Sequence, residues 1–459
     1  MKTANGGHPQ RRGLLALAVV AAVLATSLGA AAADGALPTL STAAAVTAQA
    51  TPVPSALDVV NIYDRATSLD ADVAAAAVAA AAASRAAWAY GRGSSISMIA
   101  VRRGGAPVQI APGGYSYPMA LSALPLNAIG PLMGRDVARV LANGFIVMGR
   151  TTAGLRGAQV GDNVDLIAAD GSVVTFTIGL LADDGVIGGT EILVTPEQAD
   201  LVGATTVTRI VVWGFDSRDA MNQQLAAVGL DPRVDVRIRR SWDPFDPDSQ
   251  IGMAQTKAAL GEFAFKVQAN GADATLAADW EAAHLPPDRQ VLSAAIPIRA
   301  QCNLAIVNDL SAALDEVAAV GLGGAIDVAN ANTYGGCFYP RFNRLSGNLG
   351  ILSRHSWAQA LDTNTTSNAQ GNTPHMNCDV VRIFRRHNFV WGGNFLTPDG
   401  MHFEWVGTRR DQYLYPSRFC PNVPTGKGTA GGPSNGAAPS SGMSLNRATM
   451  LADDGFGSD

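Results

Sequence analysis

The sequence predicts an α+β protein in which a compact C-terminal domain follows a separate α+β domain. Three observations carry this. Short β-branched runs flank turn signals, capped helices stand between such runs, and all four cysteines fall after residue 300. A hydrophobic fraction of 47% over 459 residues supplies more than one core and excludes disorder of the whole chain.

The elements follow in chain order. Lys2, Arg11 and Arg12 precede an apolar run from Gly13 to about Gly29, and small residues follow to Ala33. This charged, apolar, small-residue order predicts a signal peptide over residues 1–33, with an uncleaved membrane anchor as the alternative. Its removal takes away three cations and moves the formal net charge from −5 to −8, which argues against a nucleic-acid partner. A cell-envelope or membrane association through this N-terminal part is the expectation instead.

Residues 34–94 read as a flexible lead-in followed by an alanine-rich helix between Asp70 and Tyr90. Residues 95–245 read as an α+β accessory domain. Val164–Ala168 and Val173–Ile178 around Asp170-Gly171 predict a hairpin, and Ile210–Trp213 predicts a strand. Ser217 caps an expected helix to about Val228 with Gly229 as its stop, and "VDVRIR", Val234–Arg239, alternates as a half-buried strand should. This domain holds no histidine and no nucleophile beside a base, so a binding or positioning role is expected.

The Pro- and Asp-rich "SWDPFDPDSQ", residues 241–250, marks a boundary, and residues 250–421 form the C-terminal domain with its core at 290–421. Residues 422–459 turn to Gly, Ser, Pro and Ala, which predicts a disordered tail. Export would oxidise Cys302, Cys337, Cys378 and Cys420, and the sequential pairs Cys302 with Cys337 and Cys378 with Cys420 are the simplest account. No C-x-x-C spacing supports a cysteine-ligated zinc.

Candidate chemistry lies in the same region, where His355, His375, His387 and His402 cluster. In "PDGMHFEW", Asp399 precedes His402 by three residues and Glu404 follows it by two, so on a strand His402 and Glu404 share a face. A catalytic zinc takes three ligands and works beside a carboxylate that is not a ligand. His355, Asp362 and His402 could supply the ligands and Asp399 the base, but spacing alone allows His375 or His387 as third ligand equally well. Glu404 reads as a partner orienting a ligand histidine or, in a closed structural site, as a fourth ligand. His387 suits the dipole of a helix end, His375 lies in a polar loop, His284 is isolated beside two prolines, and Trp357, Trp391 and Trp405 read as core.

"SRHSWAQALD", residues 353–362, resembles the S-x-H-x-x-G-x-A-x-D motif of the zinc D-alanyl-D-alanine carboxypeptidases and L-alanyl-D-glutamate endopeptidases of bacterial cell-wall peptides, with Ser353, His355, Ala360 and Asp362 matching. "DGMHFEW" resembles that family's second motif, in which an acidic residue stands three before the last zinc-binding histidine. The intervening "CDVVRIFRRHNFVWGGNF" fits too, as a helix from Asp379 to about His387, a Trp-Gly-Gly turn and a final strand. The resemblance covers roughly residues 290–421. It implies a small zinc-peptidase domain with a central antiparallel sheet, His355, Asp362 and His402 as Zn2+ ligands and Asp399 as general base. It implies an enzyme acting on peptidoglycan peptides, which with the expected signal peptide would be secreted or held at the cell envelope. In "GGCFYPRFNR", residues 335–344, Arg341 or Arg344 close upstream of the first motif offers a cation for the developing oxyanion, with a solvated surface arginine as the alternative. An aspartate base looks more like the endopeptidase and phage-lysin branch. Ala358 stands where the motif has glycine, an extra methyl expected to crowd the backbone. The rival expectation is a catalytically silent cell-wall binding module that retains the fold.

Overall fold

Residues 57–422, apart from 66, 67 and 348, are described by a computed structural model. The expected signal peptide, the lead-in up to residue 56 and the tail from 423 onward lie outside the described residues. Within them the fold is mixed α+β, and it is dominated by a sheet that closes into a six-strand barrel rather than by a small central antiparallel sheet.

The chain enters through β1 (Val59–Asp64), buried on both faces up to Tyr63, and the helix Ala71–Ala83, whose N-terminus is capped by the Asp70 carboxylate. The alanine stretch was expected to stay helical to Tyr90. It stops at Ser84 because Arg85 turns left-handed, at φ 54°, and Trp88 and Tyr90 then enter the long strand β2 (Ala87–Arg103). After β2 come β3 (Ala106–Ile110), β4 (Tyr117–Ala123), β5 (Ile146–Gly149), β6 (Asn163–Ile167), β7 (Val173–Ala182), β8 (Ile192–Val194), β9 (Val207–Trp213) and β10 (Val236–Arg240). The Asp170-Gly171 hairpin joins β6 to β7 as expected, with Gly171 at φ 84°. Ser217 accepts from the Ala220 N–H at the start of the helix Arg218–Ala227, and Gly229 follows its end at φ 74°.

The strands β10-β1-β9-β2 pair antiparallel in that order. With the helices Ala71–Ala83 and Arg218–Ala227 packed on one face, through Val73, Ala77, Met221 and Leu225, they make a split βαβ unit of the ferredoxin-like kind. Between its second and third strands the chain inserts the barrel. β2 runs out of the open sheet and pairs with β4 on one side and β6 on the other, and the ring closes through β8, β5 and β7. Two of its pairings, β4 with β8 and β5 with β7, are parallel. Met98, Met119, Leu166, Ile178 and Ile192 fill the interior.

A helix at Met253–Leu260 then ties the barrel to the C-terminal region. Its Lys257 is fully buried and donates to both Glu191 carboxylate oxygens at 2.9 Å and to the Pro118 carbonyl, while Arg156 pairs with Glu262 beside it. Burial opposes the charge on Glu262, but Lys257 and Arg156 outweigh it and hold that carboxyl below its ordinary range.

Two short hairpins follow, β11 (Phe265–Val267) with β12 (Ala274–Leu276) and β13 (Gln290–Val291) with β14 (Arg299–Ala300). A four-stranded sheet then runs β15 (Tyr334–Gly335), β16 (Ala360–Thr363), β18 (His402–Trp405), β17 (Phe389–Trp391), each pairing antiparallel. Its core side is packed by Leu361, Phe403, Phe384 and Trp357. The disulfides Cys302–Cys337 and Cys378–Cys420 form in the sequential pairing, each closing a loop that adds about 3–4 kcal/mol. Among the described residues no helix is long and apolar enough to cross a membrane.

Removing one partner of a buried ion pair leaves an uncompensated charge, at a cost of about 3–5 kcal/mol. Lys257→Met should therefore lower the unfolding free energy by about that amount in urea titrations, and a loss under ~1 kcal/mol would show that the barrel does not depend on this contact.

Candidate metal centre and active site

Strand alternation builds the site. In the β16–β18 pairing Asp362 lies opposite His402 and Ala360 opposite Glu404, so Leu361 and Phe403 turn to the core while Asp362, His402 and Glu404 face the other way. His355 arrives from the 3-10 turn Arg354–Trp357, where the Ser353 hydroxyl accepts from the His355 N–H. Ala358 follows at φ 52°, in the left-handed region. That conformation, rather than crowding by the methyl, is the reason glycine suits this position.

His355 Nε2 stands 3.3 Å from one Asp362 oxygen and His402 Nδ1 3.1 Å from the other. One ligand atom from each of the three residues lies within 4.8 Å of the others, and all three side chains are buried. Each histidine is held from behind: His355 Nδ1 donates to the Cys337 carbonyl at 3.2 Å, and His402 Nε2 lies 3.6 Å from a Glu404 oxygen. With a cation between the rings, the Cys337 carbonyl and Glu404 would each keep the outer ring N–H, leaving His355 Nε2 and His402 Nδ1 as the ligating nitrogens. Two imidazole nitrogens and a carboxylate, buried and convergent, are a donor set for a divalent metal. His375 is exposed in its loop, and His387 pairs with Glu316 at 2.6 Å, so neither joins the group.

The charges agree with this. Burial disfavours a charged Asp362, but His355 and His402 outweigh it and hold the carboxyl far below its usual range. Burial likewise favours a neutral His402 ring, yet Asp362, Glu404 and Asp399 together hold its pKa well above the ordinary value. The pocket is thus built to accommodate positive charge.

Glu404 is fully buried and accepts from Gln250 at 2.6 Å and Gln359 at 3.2 Å, with Arg354 at 3.4 Å. Burial raises its pKa, but the Arg354 charge and the bonds from His402 and Gln250 lower it below the usual range, so it remains a carboxylate. Its oxygens are taken up by these partners, which fits an orienting role and not that of a fourth ligand. Asp399, also buried, is fixed by its backbone: its N–H donates to the Gly392 carbonyl at 2.9 Å and its carbonyl accepts from His402 N–H at 3.2 Å. A Cβ on Gly392 would fall 2.7 Å from the Asp399 carbonyl oxygen, so this turn needs glycine. Gln370 donates to the Asp399 carboxylate at 3.2 Å.

Arg341 adjoins the His355 segment through its backbone, accepting from Ser353 N–H and donating to the Ser356 hydroxyl. Its buried guanidinium donates to the Phe342 carbonyl and lies over the Tyr339 ring. Sequence reasoning passed over Arg354, Gln250, Gln359 and Gln370. Arg354 stood inside the quoted motif, whereas Gln250 is 154 residues from Glu404 and left no signal.

Two histidines and one carboxylate, buried together on the β16–β18 pair and the turn before it, form a group that could hold a metal ion. Residues 346–405 match the model of the D-alanyl-D-alanine carboxypeptidase family, a span holding His355, Asp362, Asp399 and His402. No curated protein gives a match to the chain.

Elemental analysis should find about one divalent metal per chain. His402→Ala should lose it, and the exposed His375→Ala should keep it. Glu404→Gln should weaken metal affinity by about 10- to 100-fold without unfolding the domain, read by competition with a chelator.

Proposed function

We propose that this protein is a secreted zinc-dependent peptidase that hydrolyses peptide bonds of bacterial peptidoglycan stem peptides. The cleaved bond is the terminal D-alanyl-D-alanine bond or the L-alanyl-D-glutamyl bond. The observation that carries the reading is the convergence of His355, Asp362 and His402 inside the family-matched segment, with Asp399 in the turn just before the last histidine. Both disulfides support an oxidising compartment outside the cytoplasm.

His355 Nε2, His402 Nδ1 and the Asp362 carboxylate would hold the zinc. When bound, zinc polarises the scissile carbonyl and makes water acidic enough to attack near neutral pH. Asp399 takes the proton of the attacking water and returns it to the leaving amine, and its buried, backbone-fixed turn keeps the carboxylate in one place through both transfers. Gln370, bonded to one oxygen, restrains the rotation of the Asp399 carboxylate. Glu404 keeps the His402 ring in the orientation that ligation needs. Arg341, tied to the His355 turn by its backbone, is the cation assigned to the oxyanion. The region before residue 250 positions substrate and supports the catalytic part.

Asp399→Asn is nearly isosteric and should keep metal and fold while fragment release from purified peptidoglycan, followed by mass, falls about 10²- to 10⁴-fold. Turnover within a few-fold of the wild type would reject Asp399 as base. A wild-type chain that binds zinc and peptidoglycan yet releases no fragment would be a silent binding module.

A further inference from the structure

A cavity of about 520 Å³ opens between the 230–240 segment, which ends in β10, and the loops 393–398 and 415–419. Four arginines line it, Arg233, Arg237, Arg240 and Arg418, against a single lining carboxylate, Asp231. Asp231 is engaged by Arg240. Arg233 pairs with Asp235 in a half-exposed ion pair, the kind worth little in water and readily exchanged for another anion. Arg418 is exposed at the rim, its guanidinium over the Phe419 ring. The rest of the lining includes Phe395, Leu396 and Tyr415, which give an apolar floor.

The cavity shares a wall with the catalytic turn. Phe395 lies with its ring centre 6.1 Å from that of His402, and Pro398 of the lining directly precedes Asp399. Arg237 donates to the Asn394 carbonyl, fixing β10 to this wall. The volume falls within the ~300–1,000 Å³ usual for ligand sites, and guanidinium groups recognise carboxylates through paired hydrogen bonds.

We propose that this arginine-lined cavity binds carboxylates of the stem peptide, so that selection for an anionic peptide is made jointly by β10 of the accessory part and the catalytic loop. The proposal rests on the peptidase reading and names its substrate class. A D-glutamyl residue linked through its side chain and a C-terminal alanine each carry a free carboxylate, and the alanyl methyls suit the apolar floor.

The test uses the full chain and a synthetic stem pentapeptide, either with both carboxylates free or with both amidated. Binding is measured by calorimetry, and cleavage is followed by mass. The wild type should bind the free acid at least ~10-fold tighter than the amidated form, since hydrogen bonds to charged groups carry that much each. The double substitution Arg233→Gln with Arg418→Gln changes only partly exposed side chains. It should remove most of the preference and raise KM with kcat little changed, while the thermal unfolding curve stays in place. Equal binding of the two peptides by the wild type, or an undiminished preference in the double variant, would overturn the proposal. Cleavage without the preference would sink the cavity assignment and leave the peptidase reading standing. A preference abolished by the double substitution, in a chain that cleaves nothing, would support the cavity and defeat the peptidase reading.

Discussion

Burying the Asp362 carboxylate between two imidazoles is the constraint on which this site depends. A lone carboxylate in the interior carries a large desolvation cost, and it is held there only if its partners are fixed against it. The β16–β18 register fixes His402, because a slip of β18 by one residue would turn His402 into the core and Phe403 out of it. The Cys302–Cys337 disulfide anchors the residue whose carbonyl holds His355. Glu404, itself buried, is compensated in turn by Arg354, Gln250 and Gln359.

Much of this support comes from the segment between barrel and sheet. Asp248, almost fully buried, accepts from the Arg385 guanidinium, the Trp391 N–H and the Asn394 side chain. It thereby holds the helix Cys378–Arg386 and the Gly392–Asn394 turn on which Asp399 rests. Arg354 donates to the Ile251 carbonyl and the Thr256 hydroxyl, so the same segment also positions Glu404. The stretch read from sequence as a boundary is therefore part of the scaffold of the site. The Ser95 N–H and Ser116 N–H bonds to Leu349 and Phe265 join the barrel to the C-terminal part elsewhere.

Local signals were legible in the sequence, and non-local pairing was not. The Asp170-Gly171 hairpin, the Ser217 cap and the Gly229 stop are short-range chemistry and appear where expected. β1 was not read as a strand, because six residues after an Ala- and Pro-rich stretch say little until β9 and β10, some 150 residues later, pair with them. β2 contains Gly and several Ser, poor strand formers on average, and owes its extension to four neighbouring strands. The barrel's parallel pairs leave no mark in a residue pattern of period two. At the site, His355, Asp362 and His402 could be chosen over His375 and His387 only through the motif. Burial of the first three and the Glu316 contact of His387 supply the physical reason. The residues bracing the site from outside that motif were invisible because their partners are distant in the chain.

The central claim is that one metal sits on His355, Asp362 and His402, with Glu404 and Asp399 beside it but not bound to it. Anomalous diffraction at the zinc edge, from crystals of the chain grown with zinc, tests this most directly. The account predicts one strong peak per chain about 2.0–2.2 Å from His355 Nε2, His402 Nδ1 and an Asp362 oxygen, with no bond to Glu404. A peak ligated by Glu404 or Asp399 in place of one of these three, or no peak at this position, would contradict it.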